Sequence, residues 1–238
     1  MAGMSVSPEE IARFDALAAR WWDPNGPMRA LHRMNPVRVA WIVERTRPWP
    51  GHDGDGKARL LDIGCGAGLA AEALARHGFD VLGLDAAGEA IEAARAHSAG
   101  QDLPLAYRAG VAEDLLAEGL RFPVITALEV IEHVPDPASF LATLRGLLMP
   151  GGLLFLSTLN RTPQSFLAAK VAAEYLLRWL PIGTHDWRKF VTPAELAAML
   201  RGVGLRVTDA AGLAPNPLTG QWRVVRDTEV NYLMSATA

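Results

Sequence analysis

Leu60-Leu61-Asp62-Ile63-Gly64-Cys65-Gly66-Ala67-Gly68 is the stretch whose reading decides the fold of this 238-residue chain. Its apolar start reads as a buried strand, its alternating glycines as a tight turn, and the alanine- and leucine-rich run from Leu69 to His77 as the helix that follows. Strand, glycine-cornered loop and helix in that order make a nucleotide-binding corner, because the first N–H groups of a helix have no partner within it and face the loop. The spacing is D-x-G-x-G-x-G. Position 69, where the dinucleotide fingerprint G-x-G-x-x-G needs its third glycine, holds Leu69, so the nicotinamide pattern is not met.

A second strand, Asp80 to Leu84, ends at Asp85, which lies 85 − 62 = 23 positions after Asp62, about one strand-helix-strand unit later. A carboxylate at that strand end, beside the glycine loop, can accept two hydrogen bonds from ribose hydroxyls. Together the loop and the acid resemble the class I S-adenosylmethionine-dependent methyltransferases. The resemblance implies S-adenosylmethionine as cofactor, with Asp62, Gly64, Gly66 and Gly68 forming the loop at its methionine end and Asp85 on its ribose. The plain alternative is a strand-turn-helix corner that binds nothing.

Composition bounds the rest. The chain is 50% hydrophobic and 21% charged, enough to bury an α/β core as one domain, and its net charge of −3 without a long basic run disfavours a nucleic-acid partner. The single cysteine, Cys65, excludes an intrachain disulfide and reads as a small loop residue in a reducing compartment. No secretory signal is visible at the N-terminus and no apolar run of about 18 residues occurs, so a cytoplasmic protein without a transmembrane helix is expected.

Helices are predicted over residues 8 to 22 and about 36 to 47, before a turn-rich connection from Pro48 to Gly56. A helix over about 88 to 97, strands over about 104 to 108 and 123 to 128, a helix from Pro137 to Leu148 and a strand from Leu153 to Thr158 follow. Further strands are expected at 205 to 209, 221 to 226 and 229 to 235. Alternation of strand and helix implies a parallel sheet covered on both faces, with ligands beyond the carboxyl ends of its strands. The expected organisation is a single domain: a helical cap over residues 1–50, a cofactor-binding core over 58–160, an insert over the substrate site at 161–192, and a C-terminal helix and strands from 193 to 238.

Chemistry is expected at the end of the fourth strand, in Leu128-Glu129-Val130-Ile131-Glu132-His133. Glu129, Glu132 and His133 fall at i, i+3 and i+4, which on a helical turn puts three ionisable groups on one side. Such a set could bind a hard divalent cation, could make His133 a general base oriented by a glutamate, or could be a structural turn lining the pocket.

Other segments narrow the resemblance. Phe14 to Asp23 with its Trp21-Trp22 pair, Leu31 to Arg38, Ser157 to Arg161, Gly183-Thr184-His185-Asp186, Pro215-Asn216-Pro217 and Asn231-Tyr232 resemble the ubiquinone-biosynthesis O-methyltransferases, over about residues 10 to 235. That resemblance implies a Rossmann-like fold with a mostly parallel seven-stranded sheet, and O-methylation of polyprenylated phenols: a 2-polyprenyl-6-hydroxyphenol early and 3-demethylubiquinol last. Carried over, it places cofactor contacts at Arg38, Gly64, Asp85 and Leu128, with Ala112 near the adenine. Pro123 departs from the aspartate usual there, at a strand's first residue where proline is tolerated.

A free phenol has a pKa of about 10, so its ionisation near neutral pH needs help. A divalent ion, Mg or Zn, held by Glu129, Glu132 and His133, would supply it, as would a neutral His133 or His185 accepting the proton. Ser165 to Leu180 is amphipathic, with Lys170, Glu174 and Arg178 on one stripe; it could cover the pocket or lie on a bilayer and admit a polyprenyl tail. Three other classes stand beside this reading. A methyltransferase of another small molecule is opposed by the cap and Gly183-Thr184-His185-Asp186, a scaffold in a quinone-synthesis assembly by the intact glycines and Asp85, and a NAD-linked oxidoreductase by Leu69.

Overall fold

The computed structural model describes residues 6–47, 58–166, 187–216 and 219–238. Helix α1, Pro8–Asp15, starts where Ser7 accepts a hydrogen bond from the Glu10 N–H, with Pro8 at its first position. It stops earlier than expected, because Asp15 turns away to accept a hydrogen bond from the N–H of Glu89, and a single 3₁₀ turn at Ala18–Arg20 follows. Helix α2 runs Arg29–Thr46, seven residues ahead of the predicted start, so Pro36 lies inside it. Proline there removes one helical bond. Two anchors hold the helix just ahead of that proline: His32 Nε2 lies 2.8 Å from the Trp21 carbonyl, and Asn35 donates to the Leu69 carbonyl at 2.8 Å.

The core alternates strand and helix: β1 Arg59–Ile63, α3 Leu69–Arg76, β2 Asp80–Asp85, α4 Gly88–Ser98, β3 Leu105–Ala109, α5 Ala112–Ala117, β4 Phe122–Leu128, α6 Pro137–Leu147 and β5 Leu148–Leu159. One turn of helix, α7 Pro163–Ser165, then α8 Pro193–Gly202, β6 Arg206–Pro215, β7 Trp222–Val225 and β8 Asn231–Thr237 complete the described chain. Asp136 caps α6 through the N–H groups of Ala138 and Ser139, and Thr192 with Glu195 forms a reciprocal capping box on α8.

The strands form one sheet in the order β3-β2-β1-β4-β5-β8-β6-β7. The pairs from β3 through β5 are parallel, and β8, β6 and β7 extend the sheet antiparallel. Eight strands stand where seven were expected, because Trp222–Val225 folds back along Gly212–Pro215 as an outer edge. The chain moves outward from β1 through β2 to β3 and then returns to β4 on the other side of β1. That reversal is a topological switch point, where two neighbouring loops leave in opposite directions and open a crevice above the strand ends.

Side chains alternate between two cores, one on each face of the sheet, as a strand's period of two requires. Leu61, Ile125, Leu154 and Tyr232 pack with α5, α6 and α8, while Leu60, Val124, Phe155 and Leu233 pack with α2 and α3. Phe122–Leu128 is buried along its whole length, the mark of a central parallel strand. Among the described residues no helix is long and apolar enough to cross a membrane. Phe155, fully buried with the Trp41 ring edge-on at 5.8 Å, is a test of this packing: Phe155→Ala should cost about 3–5 kcal/mol in urea unfolding with the slope unchanged.

Candidate active site

The glycine loop leaves β1 at the switch point. Gly64, Gly66 and Gly68 have φ of 67°, 53° and 89°. A Cβ on Gly66 would lie 2.1 Å from the Trp21 ring, and one on Gly64 would lie 2.4 Å from a Val130 methyl, so these two positions exclude side chains by backbone and by space.

Asp85, at the end of β2, shapes the same loop. Its Oδ2 accepts from the Gly66 N–H at 2.7 Å and its Oδ1 from the Ala87 N–H at 2.8 Å. Burial pushes its pKa up while these backbone donors oppose the rise. The remaining lone pairs face a cavity of about 440 Å³ that Asp85 helps to line.

Gly64, Asp85, Ala112, Leu128, Glu129, Glu132 and His133 all line this cavity. Arg38, Asp62, Gly66 and Gly68, expected beside them, lie behind its wall. Asp62 is buried beneath the loop, where the Thr126 hydroxyl donates to it at 2.6 Å and burial raises its pKa to about 6. Its first role is to tie β1 to β4. Arg38 is no solvated surface charge: it is 4% exposed, with Nε donating to Asn35 at 3.0 Å. Burial lowers its pKa, and the charges of Glu129 and then Asp62 oppose that shift. Arg38 Nη1 and Asp62 Oδ2 are buried without a hydrogen-bond partner among the described residues. A buried cation and a buried anion, each with an open valence beside the glycine loop, match the carboxylate and ammonium ends of an amino-acid zwitterion.

The three ionisable groups after β4 do not share one helical turn, as their spacing implied. Glu129 has φ 57° and precedes the turn, which is a 3₁₀ segment, Ile131–His133. Its carboxylate turns to the second half of the sheet, accepting from the Ser157 hydroxyl at 2.7 Å and from Asn231 Nδ2 at 3.1 and 3.2 Å. Glu132 accepts from the Thr158 hydroxyl at 2.8 Å, and burial, then the neighbouring Glu129 charge, push its pKa to about 7. His133 Nδ1 lies 3.1 Å from Glu10 Oε2 on α1 and takes the edge of Phe14. Burial works against the imidazolium, but Glu10 and Glu132 outweigh it, and the His133 pKa is raised. The orienting glutamate is therefore Glu10, which no sequence spacing to His133 could reveal. The expected metal set is not assembled: each side chain is committed to a different partner, and among the described residues no three His, Cys, Asp or Glu side chains are grouped to hold a metal ion.

The N-terminal segment closes the crevice. Trp21 covers Gly66, Trp22 donates to the Ala67 carbonyl at 2.9 Å and stacks on His97 at 3.4 Å, and His32 sits against the Trp21 carbonyl, an interface role. His185 and residues 167–180 of the amphipathic stretch lie outside the described residues.

A glycine loop at the switch point, an acid closing the next strand and one cavity spanning both define a class I methyltransferase. The Methyltransferase domain family matches residues 30–210. Magnesium protoporphyrin IX methyltransferase from Synechocystis PCC 6803, solved with bound S-adenosylhomocysteine, shares the fold at TM-score 0.67 and 16% identity, over 96% of this chain and 99% of that one. Proteins named ubiquinone biosynthesis O-methyltransferase from Caulobacter vibrioides and Methylobacterium sp. strain 4-46 are each 48% identical over 98% of this chain, covering 95% and 96% of their own lengths. This chain belongs to that family of S-adenosylmethionine-dependent O-methyltransferases.

Asp85→Ala removes the acceptor of the Gly66 and Ala87 N–H groups together with a carboxylate that lines the cavity. By calorimetry it should weaken S-adenosylhomocysteine binding at least tenfold, with NAD binding to neither protein, on the scale of about 1.5–3 kcal/mol for a charged hydrogen bond. Undiminished affinity would remove Asp85 from the cofactor site.

Proposed function

We propose that the acceptors of the methyl group are polyprenylated phenols, a 2-polyprenyl-6-hydroxyphenol and 3-demethylubiquinol. The observation that supports this most is a single cavity joining cofactor-side positions Gly64, Asp85, Ala112 and Leu128 to Glu129, Glu132 and His133, with walls from Phe14, Trp21, Met28, Leu31 and Phe140. Apolar walls suit a ring bearing a hydrocarbon tail, and the acid–base groups suit its hydroxyls.

S-adenosylmethionine supplies, when bound, an electrophilic methyl on a sulfonium. Asp85 would hold the ribose and Leu128 with Ala112 the adenine, while the open valences of Arg38 and Asp62 would meet the methionine carboxylate and ammonium only once the wall that buries them parts. The remaining work is positioning and proton removal in a dry site. His133, held by Glu10, takes the phenol proton in its neutral form, which its raised pKa moves to higher pH; Glu129 accepts the hydrogen bond of a neighbouring hydroxyl. His185 is a second candidate acceptor on the strength of sequence alone.

Glu129 and His133 would each have to leave present partners to receive a metal ion. Peripheral bilayer contact through residues 165–180 and membership of a quinone-synthesis complex belong to the same proposal and rest on the sequence.

An assay with S-adenosylmethionine and a short-tailed demethylubiquinol should yield the methyl ether, and His133→Ala should lower kcat by about 10²–10⁴ while leaving S-adenosylhomocysteine affinity within about twofold. Absence of product from any phenol, with the cofactor product still bound, would overturn the substrate assignment. Loss of turnover in EDTA and its recovery with magnesium or zinc would show that an ion draws Glu129, Glu132 and His133 together in the loaded enzyme.

A further inference from the structure

Two carboxylates share one wall of the cavity, and they are held unequally. Glu132 has one oxygen on Thr158 and the other, Oε1, without a partner among the described residues. Glu129 is held on both sides, by Ser157 from β5 and by Asn231 from the first position of β8. Its left-handed backbone is one of two such non-glycine positions among the described residues. A residue with a Cβ keeps that conformation only where its surroundings over-determine it. Here the Glu129 N–H donates to the Ser157 carbonyl at 2.9 Å, and the side chain is caught by two neutral donors. The two hydrogen bonds come from neutral donors, with the Arg38 charge acting on Glu129 through space, so the carboxylate keeps lone pairs free as an acceptor toward the cavity.

Asn231 is 4% exposed, lines the cavity, and lies 102 positions from Glu129 in sequence. Its Nδ2 spans both Glu129 oxygens while its Oδ1 has no partner among the described residues, so the orientation of the amide is set by Glu129. The strand register places it opposite Leu159, one step beyond the Ser157–Leu233 and Thr158–Tyr232 pairs. The antiparallel half of the sheet thereby reaches into the site, where Pro215 and Trp222 also line the cavity.

We propose that Asn231 is a positioning residue for acceptor recognition: it fixes the Glu129 carboxylate so that Glu129 accepts a hydrogen bond from the hydroxyl adjacent to the one that is methylated. This rests on the phenol reading above. Specificity for two adjacent hydroxyls follows, because an acceptor lacking the second one leaves Glu129 with nothing to receive.

The test uses the full chain with Asn231→Ala and the near-isosteric Asn231→Leu, against a short-tailed 2-prenyl-6-hydroxyphenol and its analogue lacking the neighbouring hydroxyl. KM for the two-hydroxyl acceptor should rise about tenfold in both variants, the loss of one charge-assisted hydrogen bond. KM for the one-hydroxyl acceptor and the affinity for S-adenosylhomocysteine by calorimetry should stay within about twofold, and the latter also shows that each variant is folded. A crystal structure of Asn231→Leu should show the Glu129 carboxylate displaced. Unchanged KM for the two-hydroxyl acceptor, an equal rise for both acceptors, or a Glu129 that stays in place would overturn the proposal. If the wild type methylates neither phenol, the phenol reading fails, and the position of Glu129 in the variant crystal still decides whether Asn231 holds it.

Discussion

The bond from the Gly66 N–H to the Asp85 carboxylate is the constraint on which the site depends. It ties the loop after β1 to the end of β2, so that the backbone turn and the Asp85 carboxylate are placed by one contact. Backbone donors to a carboxylate are strong because the acceptor carries full charge in a partly dehydrated setting. The Gly64 and Cys65 N–H groups complete the tie by donating to the Leu84 carbonyl at 2.8 and 3.2 Å. With three links between two adjacent parallel strands, the crevice at the switch point has fixed walls on the cofactor side.

What lies over those walls is a segment with little regular structure but several specific anchors. Asp15 caps α4, Trp22 bonds the loop and stacks on His97, Trp21 fills the space above Gly66, and Glu10 pairs with His133. Glu10 and His133 favour each other's charged forms, the hydrogen bond lowering the pKa of one and raising that of the other against burial. The cap is thus joined to both sides of the cavity, at the glycine loop through tryptophans and after β4 through the contact of Glu10 with His133. Excluding water in this way strengthens every polar contact inside.

Much of this was legible beforehand. The spacing of glycines after a buried apolar strand, and an acid one strand-helix-strand unit later, carry the fold class because only a parallel α/β corner puts both at one strand edge. The helix starts expected at residues 8, 137 and 193 depend on neighbours in the chain, and in the structure Ser7, Asp136 and Thr192 cap those helices. Short-range chemistry is readable because its partners are adjacent in sequence. The spacing of Glu129, Glu132 and His133 misled for the same reason: it assumes a helix, and the left-handed turn at Glu129 breaks the period.

The amino-acid sequence by itself determined the cofactor corner, the order of strand and helix, and the family, since these follow from local pattern and from segments spread along the whole chain. Only the tertiary structure decided that Arg38 is buried with an open valence, that Asp62 braces the sheet from behind the cavity, and that His133 belongs to Glu10 and Glu129 to Asn231. The physical reason is separation: the Glu129–Asn231 contact joins positions 102 apart, and such a partner is chosen by strand register and packing, which no local periodicity records.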